Sequence, residues 1–137
     1  MDTDPTKLRS LAISAQDLVA ATEARADGAD AVLRVTPPFS GRMRARLHLV
    51  QSGETDDDTL HLEPSTLLAE DAPAYPTPDD TADELRADET ETYSVERHRT
   101  YHEQRVETWR ESLPSYAVDS VTPPAVGHEV TVSILGP

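Results

Sequence analysis

The 137-residue chain contains no cysteine, which excludes a disulfide scaffold, a thiolate metal site and a cysteine nucleophile. Aromatic residues make up only 4%, with one Trp and one Phe, so a core has to be built from aliphatic side chains. Five scattered glycines cannot supply a glycine-rich phosphate loop. No serine stands between glycines at the spacing of a nucleophile elbow. No apolar run approaches the ~18 residues a membrane-spanning helix requires, and the N-terminus lacks the basic and apolar regions of a signal peptide. These gaps set the expectation of a soluble, cytoplasmic protein. Its length fits one domain over residues 1–137, since most single domains run to roughly 100–150 residues.

Lysine is almost missing too. Lys7 stands alone beside the arginines, and 26 acidic residues against 12 basic ones give a formal net charge of −14. At about 1 M salt the Debye length is about 3 Å, against about 10 Å at 0.1 M. Repulsion among so many carboxylates is therefore tolerable in brine and destabilising in dilute buffer. An acidic disordered chain is the plainer alternative, but the periodic segments described below are foldable. In such a chain acidity is background and says nothing about a basic partner.

The acid is unevenly placed. Residues 54–96 hold fifteen acidic residues and one arginine, Arg86. Residues 31–53 hold no acid at all, only Arg34, Arg42, Arg44 and Arg46. This basic island includes the segment Val35-Thr36-Pro37-Pro38-Phe39-Ser40-Gly41-Arg42-Met43-Arg44. In that segment, and in composition over its whole length, the chain resembles the small uncharacterised acidic proteins of haloarchaea. The resemblance implies a halophilic cytosol and brings no catalytic residues with it.

The hydrophobic pattern predicts an amphipathic helix from Pro5 to Asp27, with Leu8, Leu11, Ala12, Ala15, Leu18, Val19 and Ala26 on one stripe. Asp4 is its cap, Pro5 suits its first position and Gly28 its stop. A three-strand antiparallel meander follows, over Ala31–Thr36, Arg42–Gln51 and Thr59–Leu62. In the middle strand Met43, Ala45, Leu47 and Leu49 are expected inward, with Arg42, Arg44, Arg46 and His48 outward. A short helix near Ser65–Glu70 and a second one opened by Thr77 and Pro78 through Ala87 lie in an acidic, partly mobile insertion around 63–92. A long helix is predicted over Tyr93–Leu113, with Val95, Val106, Trp109 and Leu113 aligned and Pro114 ending it. Whether one helix or two span 78–113 is left open by the spacing. Tyr116–Val121 and Val126–Leu135 read as strands. The expected fold is α+β: a mostly antiparallel sheet of about five strands with the N-terminal helix and the long second helix packed on one face.

Two features carry chemistry. His98 and His102, four residues apart, share one helix face and have the reach to hold a metal together, with His128 or His61 as candidate third ligand. A zincin motif has Glu after its first His where this chain has Arg99, and two histidines hydrogen-bonded at a core margin are the plainer reading. The second feature is the row Arg42, Arg44, Arg46 and His48, about 6.6–7 Å apart along a strand, with Arg34 and His61 joining from neighbouring strands. Guanidinium forks at that repeat suit phosphates or carboxylates, and Phe39 in the adjacent turn is a candidate to stack on a base. The competing reading pairs these arginines internally with the acidic 54–96 segment. The acidic run Glu54–Asp58 has neither the Gly nor the Glu at the positions a calcium loop needs, and reads as a solvated turn. The leading expectation is a non-enzymatic binding or assembly module. Its arginine-lined strand face would contact nucleic acid, an acidic protein surface or a second copy, with no membrane and no cofactor. The alternative is a small metal-dependent enzyme built on the histidine pair.

Overall fold

The computed structural model describes residues 3–54 and 58–136. Asp4 does cap a helix, its Oδ1 accepting from the Thr6 amide at 3.0 Å, but that helix is the single turn Pro5–Lys7. The chain then extends as strand β1, Ser10–Ser14, and turns helical only at α1, Ala15–Ala26. The predicted helix over 5–27 is thus corrected to a strand followed by a shorter helix. Leu11 and Ile13 alternate with Ser10, Ala12 and Ser14, and both are fully buried because β1 is paired on each edge. Ser14 caps α1, accepting from the Asp17 amide at 3.0 Å, and Gly28 at φ 97° lets the chain reverse after it.

After α1 come β2 (Ala31–Val35), β3 (Arg42–Arg44), β4 (Arg46–Leu49) and β5 (Leu60–Leu62). The turn expected before β5 is described up to Glu54 and from Asp58 onward; Thr55, Asp56 and Asp57 lie outside the described residues. α2 (Pro78–Ala87) and α3 (Val95–Ser112) are two separate helices, and β6 (Ser120–Val121) and β7 (Val130–Leu135) end the chain. The strand expected from Tyr116 is corrected to β6 alone, since Tyr116 closes the single helical turn Leu113–Tyr116. Val126 is buried but precedes β7 rather than belonging to it.

The architecture is α+β, but the one five-stranded sheet is replaced by two. A four-stranded sheet has the order β3-β1-β7-β6, and a three-stranded one the order β4-β2-β5. β1 runs parallel to both β3 and β7, so the larger sheet is not mostly antiparallel. The smaller sheet is antiparallel, with β2 in its centre and β4 and β5 on its two edges, which corrects the meander order. The chain changes sheets at Ala45. That residue is fully buried, and its amide donates to the Ala12 carbonyl at 3.0 Å. A single methyl is small enough to let the backbone pass through the junction.

One apolar cluster joins the two sheets and α1, with Leu11, Ile13, Leu18, Leu33, Val35, Leu60, Val130 and Val132 among its members. α2 and α3 pack together beside it. The Trp109 indole N–H donates to the Pro73 carbonyl at 2.9 Å, and Tyr75 meets the same ring edge-on at 4.9 Å. Val95, expected on the apolar line of α3, is 69% exposed; Val106, Trp109 and Leu113 are buried. No helix among the described residues is long and apolar enough to cross a membrane.

Candidate functional site

Arg42, Arg44 and Arg46 occupy two consecutive edge strands that belong to different sheets. Arg42 and Arg44 share one face of β3 and lie opposite Ser10 and Ala12 of β1. Met43 between them packs against the core, which directs its neighbours outward. After the junction at Ala45, Arg46 stands on β4 opposite Arg34 of β2. The uninterrupted stripe expected over 42–48 is corrected to two segments, because the sheet changes between Arg44 and Arg46. All three side chains remain exposed.

Their electrostatic surroundings differ from those of Arg25, Arg97, Arg105 and Arg110, each of which has a carboxylate partner. Arg110 clasps Glu23 with Nε–Oε1 and Nη2–Oε2 distances of 2.8 Å each. Arg105 reaches Glu84 at 2.8 Å, Arg25 reaches Asp30 at 3.3 Å, and Arg97 pairs with Glu91. The Arg110 hydrogen bonds hold the Glu23 carboxyl below its ordinary range, and Arg105, helped by Tyr101, does the same for Glu84. Among the described residues, no acid pairs with Arg42, Arg44 or Arg46. Among the described residues, these three are therefore not held by internal pairing with the acidic segment.

The remaining residues of the expected surface go elsewhere. Phe39 is 4% exposed and packs in the core cluster, where no base can stack on it. Its turn includes a cis peptide between Pro37 and Pro38. His48 is half-buried and donates from Nε2 to Glu54 at 2.8 Å, with Arg34 Nη1 3.4 Å from the same nitrogen. His61 lies beside it, the two rings 5.6 Å apart. Leu47 and Leu49, expected inward, are 37% and 48% exposed because β4 is an edge strand.

His98 and His102 do share a face of α3, and both turn toward α2. The fully buried Thr81 hydroxyl lies 2.9 Å from His98 Nε2, 2.9 Å from His102 Nδ1 and 3.1 Å from the Pro78 carbonyl. A hydroxyl has one proton and two lone pairs, so every group is satisfied when Thr81 donates to Pro78 and accepts from both rings. Neither proposed third ligand joins them. His61 sits with His48, and His128 donates from Nε2 to the Leu8 carbonyl at 2.7 Å. The trio that the structure does assemble, His48 with Glu54 and His61, was missed because its members come from two strands and a turn with no motif spacing. The available signal was the outward placement of His48 and His61 beside Arg34.

An open groove of about 830 Å³ lies between α1 and the end of α3, with Val19, Ala20, Ala24 and Pro114 on its walls and the Glu23–Arg110 pair across it. Arg42, Arg44 and Arg46 do not line it. Compared with known families, residues 1–136 match the model described as Domain of unknown function (DUF8009), and the chain belongs to that family. No curated protein and no solved structure matches the chain.

Proposed function

We propose that this member of the family is a non-enzymatic binding or assembly module of a halophilic cytosol, and that it contacts a polyanion or an acidic protein surface through Arg42, Arg44 and Arg46. One observation carries the reading. In a chain of net charge −14, three exposed arginines on adjacent edge strands have no acidic partner among the described residues. Arg25, Arg97, Arg105 and Arg110 each find a carboxylate. Exposed Arg9 and Arg99 also lack one among the described residues, but Arg42, Arg44 and Arg46 lack one as a group on adjacent strands. Guanidinium groups bind carboxylate and phosphate through paired N–H donors, so either anion class fits the surface. A second copy of the chain, presenting its own acidic segment, is one such partner.

Anisotropy titrations of labelled polyglutamate and of a labelled single-stranded oligonucleotide test this, at salt concentrations where the chain is folded. Saturable binding of at least one, weakening as salt rises, is the expected result. Failure to bind either, together with a monomer by sedimentation, contradicts it.

A further inference from the structure

Apart from the three exposed arginines, three ligand-bearing side chains converge over the outer face of the small sheet. His48 comes from β4, His61 from β5, and Glu54 from the turn that joins those strands. His48 stands opposite Val32 and His61 opposite Arg34, two positions of β2 that share a face. Both imidazoles therefore lean over the central strand from its two sides. The Glu54 carboxylate closes the group, with Oε2 2.8 Å and Oε1 3.0 Å from His48 Nε2. One ligand atom from each residue lies within 4.8 Å of the other two.

These distances are close to what a metal requires. Zinc holds nitrogen and oxygen at about 2.0–2.1 Å, which places tetrahedral ligands roughly 3.4 Å apart. The remaining gap is at most about 1.4 Å, a shift that small changes in side-chain torsion can supply. Glu54 is also held in place from behind. Its amide donates to the Gln51 carbonyl at 3.0 Å, and its Oε1 accepts from the Gln51 amide at 3.2 Å. Gly53, at φ 80°, provides the left-handed bend that this turn needs. All three residues are half-buried, so the site is sheltered yet reachable.

We propose that His48, Glu54 and His61 form a binding site for one zinc ion, with the fourth position left to water or an anion. Two imidazoles and a carboxylate are a donor set that zinc favours over calcium or magnesium, which take oxygen ligands. The proton that His48 donates from Nε2 to Glu54 shifts to Nδ1 when that nitrogen ligates, and the ring stays neutral. Arg34 Nη1 lies 3.4 Å from the same nitrogen, so the metal takes the place of that contact. Bound zinc ties β4, β5 and their turn across β2. This site shares no residue with the arginine surface, although Arg46 stands on the same sheet face opposite Arg34, and it is not the histidine pair of α3.

The full-length chain, stripped with a chelator, is titrated with zinc at neutral pH while heat uptake and melting temperature are followed. One zinc per chain and a rise in Tm of about 5–10 °C at a hundred-fold excess over Kd are expected. Cobalt in place of zinc should give visible absorption bands of a nitrogen- and oxygen-ligated site. Glu54→Gln, which keeps the side chain's size, and His61→Gln should each weaken zinc binding at least ten-fold. A double change of His98→Gln and His102→Gln should leave it unaltered. Absence of any zinc-dependent shift overturns the site, as does binding that survives both Glu54→Gln and His61→Gln. Loss of zinc binding only in the His98 and His102 variant would move the site to α3 and overturn it equally. If a variant fails to fold, the cobalt spectrum of the unaltered chain still decides: bands that never form contradict the proposal.

Discussion

Arg34 and Arg46 stand directly opposite each other on β2 and β4, two like charges in the register position where side chains are neighbours. Directly opposed like charges weaken a strand pair by a few tenths to about 1 kcal/mol. Stability therefore does not account for Arg46. Arg46→Gln should leave the melting temperature unchanged or slightly raised, within about 0.5 kcal/mol, and should weaken binding of the anionic partner. A clear loss of stability in a thermal melt would show that Arg46 supports the sheet.

The Glu23–Arg110 pair fastens α1 to α3 through two 2.8 Å hydrogen bonds, and chiefly through them the Glu23 carboxyl ionises below its ordinary value of 4.5. A carboxyl lowered in the folded state contributes stability that is present above 4.5 and lost as pH falls through the folded value. Glu23→Gln should accordingly cost about 1 kcal/mol at pH 7, a figure already reduced for solvent screening, and nothing in strong acid. The difference between the two chains is the quantity to measure. Acid also relieves repulsion among the other carboxylates, so the unaltered chain's own pH profile mixes the two effects. Urea melts at pH 7 and pH 3 decide it, and a difference that is the same at both contradicts the assignment.

Thr81 joins α2 to α3 through His98 and His102. Thr81→Val keeps the shape and deletes the hydroxyl, leaving two imidazole N–H groups and no acceptor between the helices. A loss of about 1–3 kcal/mol is expected, whereas Thr81→Ser, which keeps the hydroxyl, should lose less. Equal effects of the two substitutions in chemical denaturation would show that the methyl group matters and the hydrogen bonds do not.

Salt should govern folding. With fifteen acidic residues and one basic residue between positions 54 and 96, the chain is expected to depend on screening. Circular dichroism over a KCl series should show a cooperative melt at about 2 M and substantial loss of structure below about 0.2 M, where the Debye length exceeds ~6 Å. Equal thermal stability at both ends contradicts the halophilic reading.

Sequence pattern reached the helices best where a cap and a stop were both written locally. Thr77 and Pro78 announce α2, which runs from Pro78 to Ala87 with the Thr77 hydroxyl accepting from the Asp80 amide at 3.1 Å. The predicted 93–113 helix is observed over Val95–Ser112. β1 escaped because Leu8, Leu11, Ala15 and Leu18 also fit helical spacing. What makes Ser10–Ser14 a strand is pairing with β3 and β7, segments distant in sequence. At the site, the outward placement of Arg42, Arg44 and Arg46 was legible from alternation. The sheet change at Ala45 was not, since an alanine in an alternating run carries no mark of a junction. Likewise the convergence of His48, Glu54 and His61 depends on β2 lying between β4 and β5, an order that a meander would not give.

The most direct measurement of the arginine surface is a chain carrying Arg42→Gln, Arg44→Gln and Arg46→Gln together, compared with the unaltered chain at one constant salt concentration. Thermal melting and capture of polyglutamate or the oligonucleotide are read on the same preparations. Exposed strand positions tolerate such changes within about 0.5 kcal/mol each, so the triple variant should melt close to the unaltered chain and lose its anionic partner. Unfolding of the variant would place these arginines in the fold's own support, and unchanged folding with unchanged binding would leave the surface without the role assigned to it; either result contradicts the account.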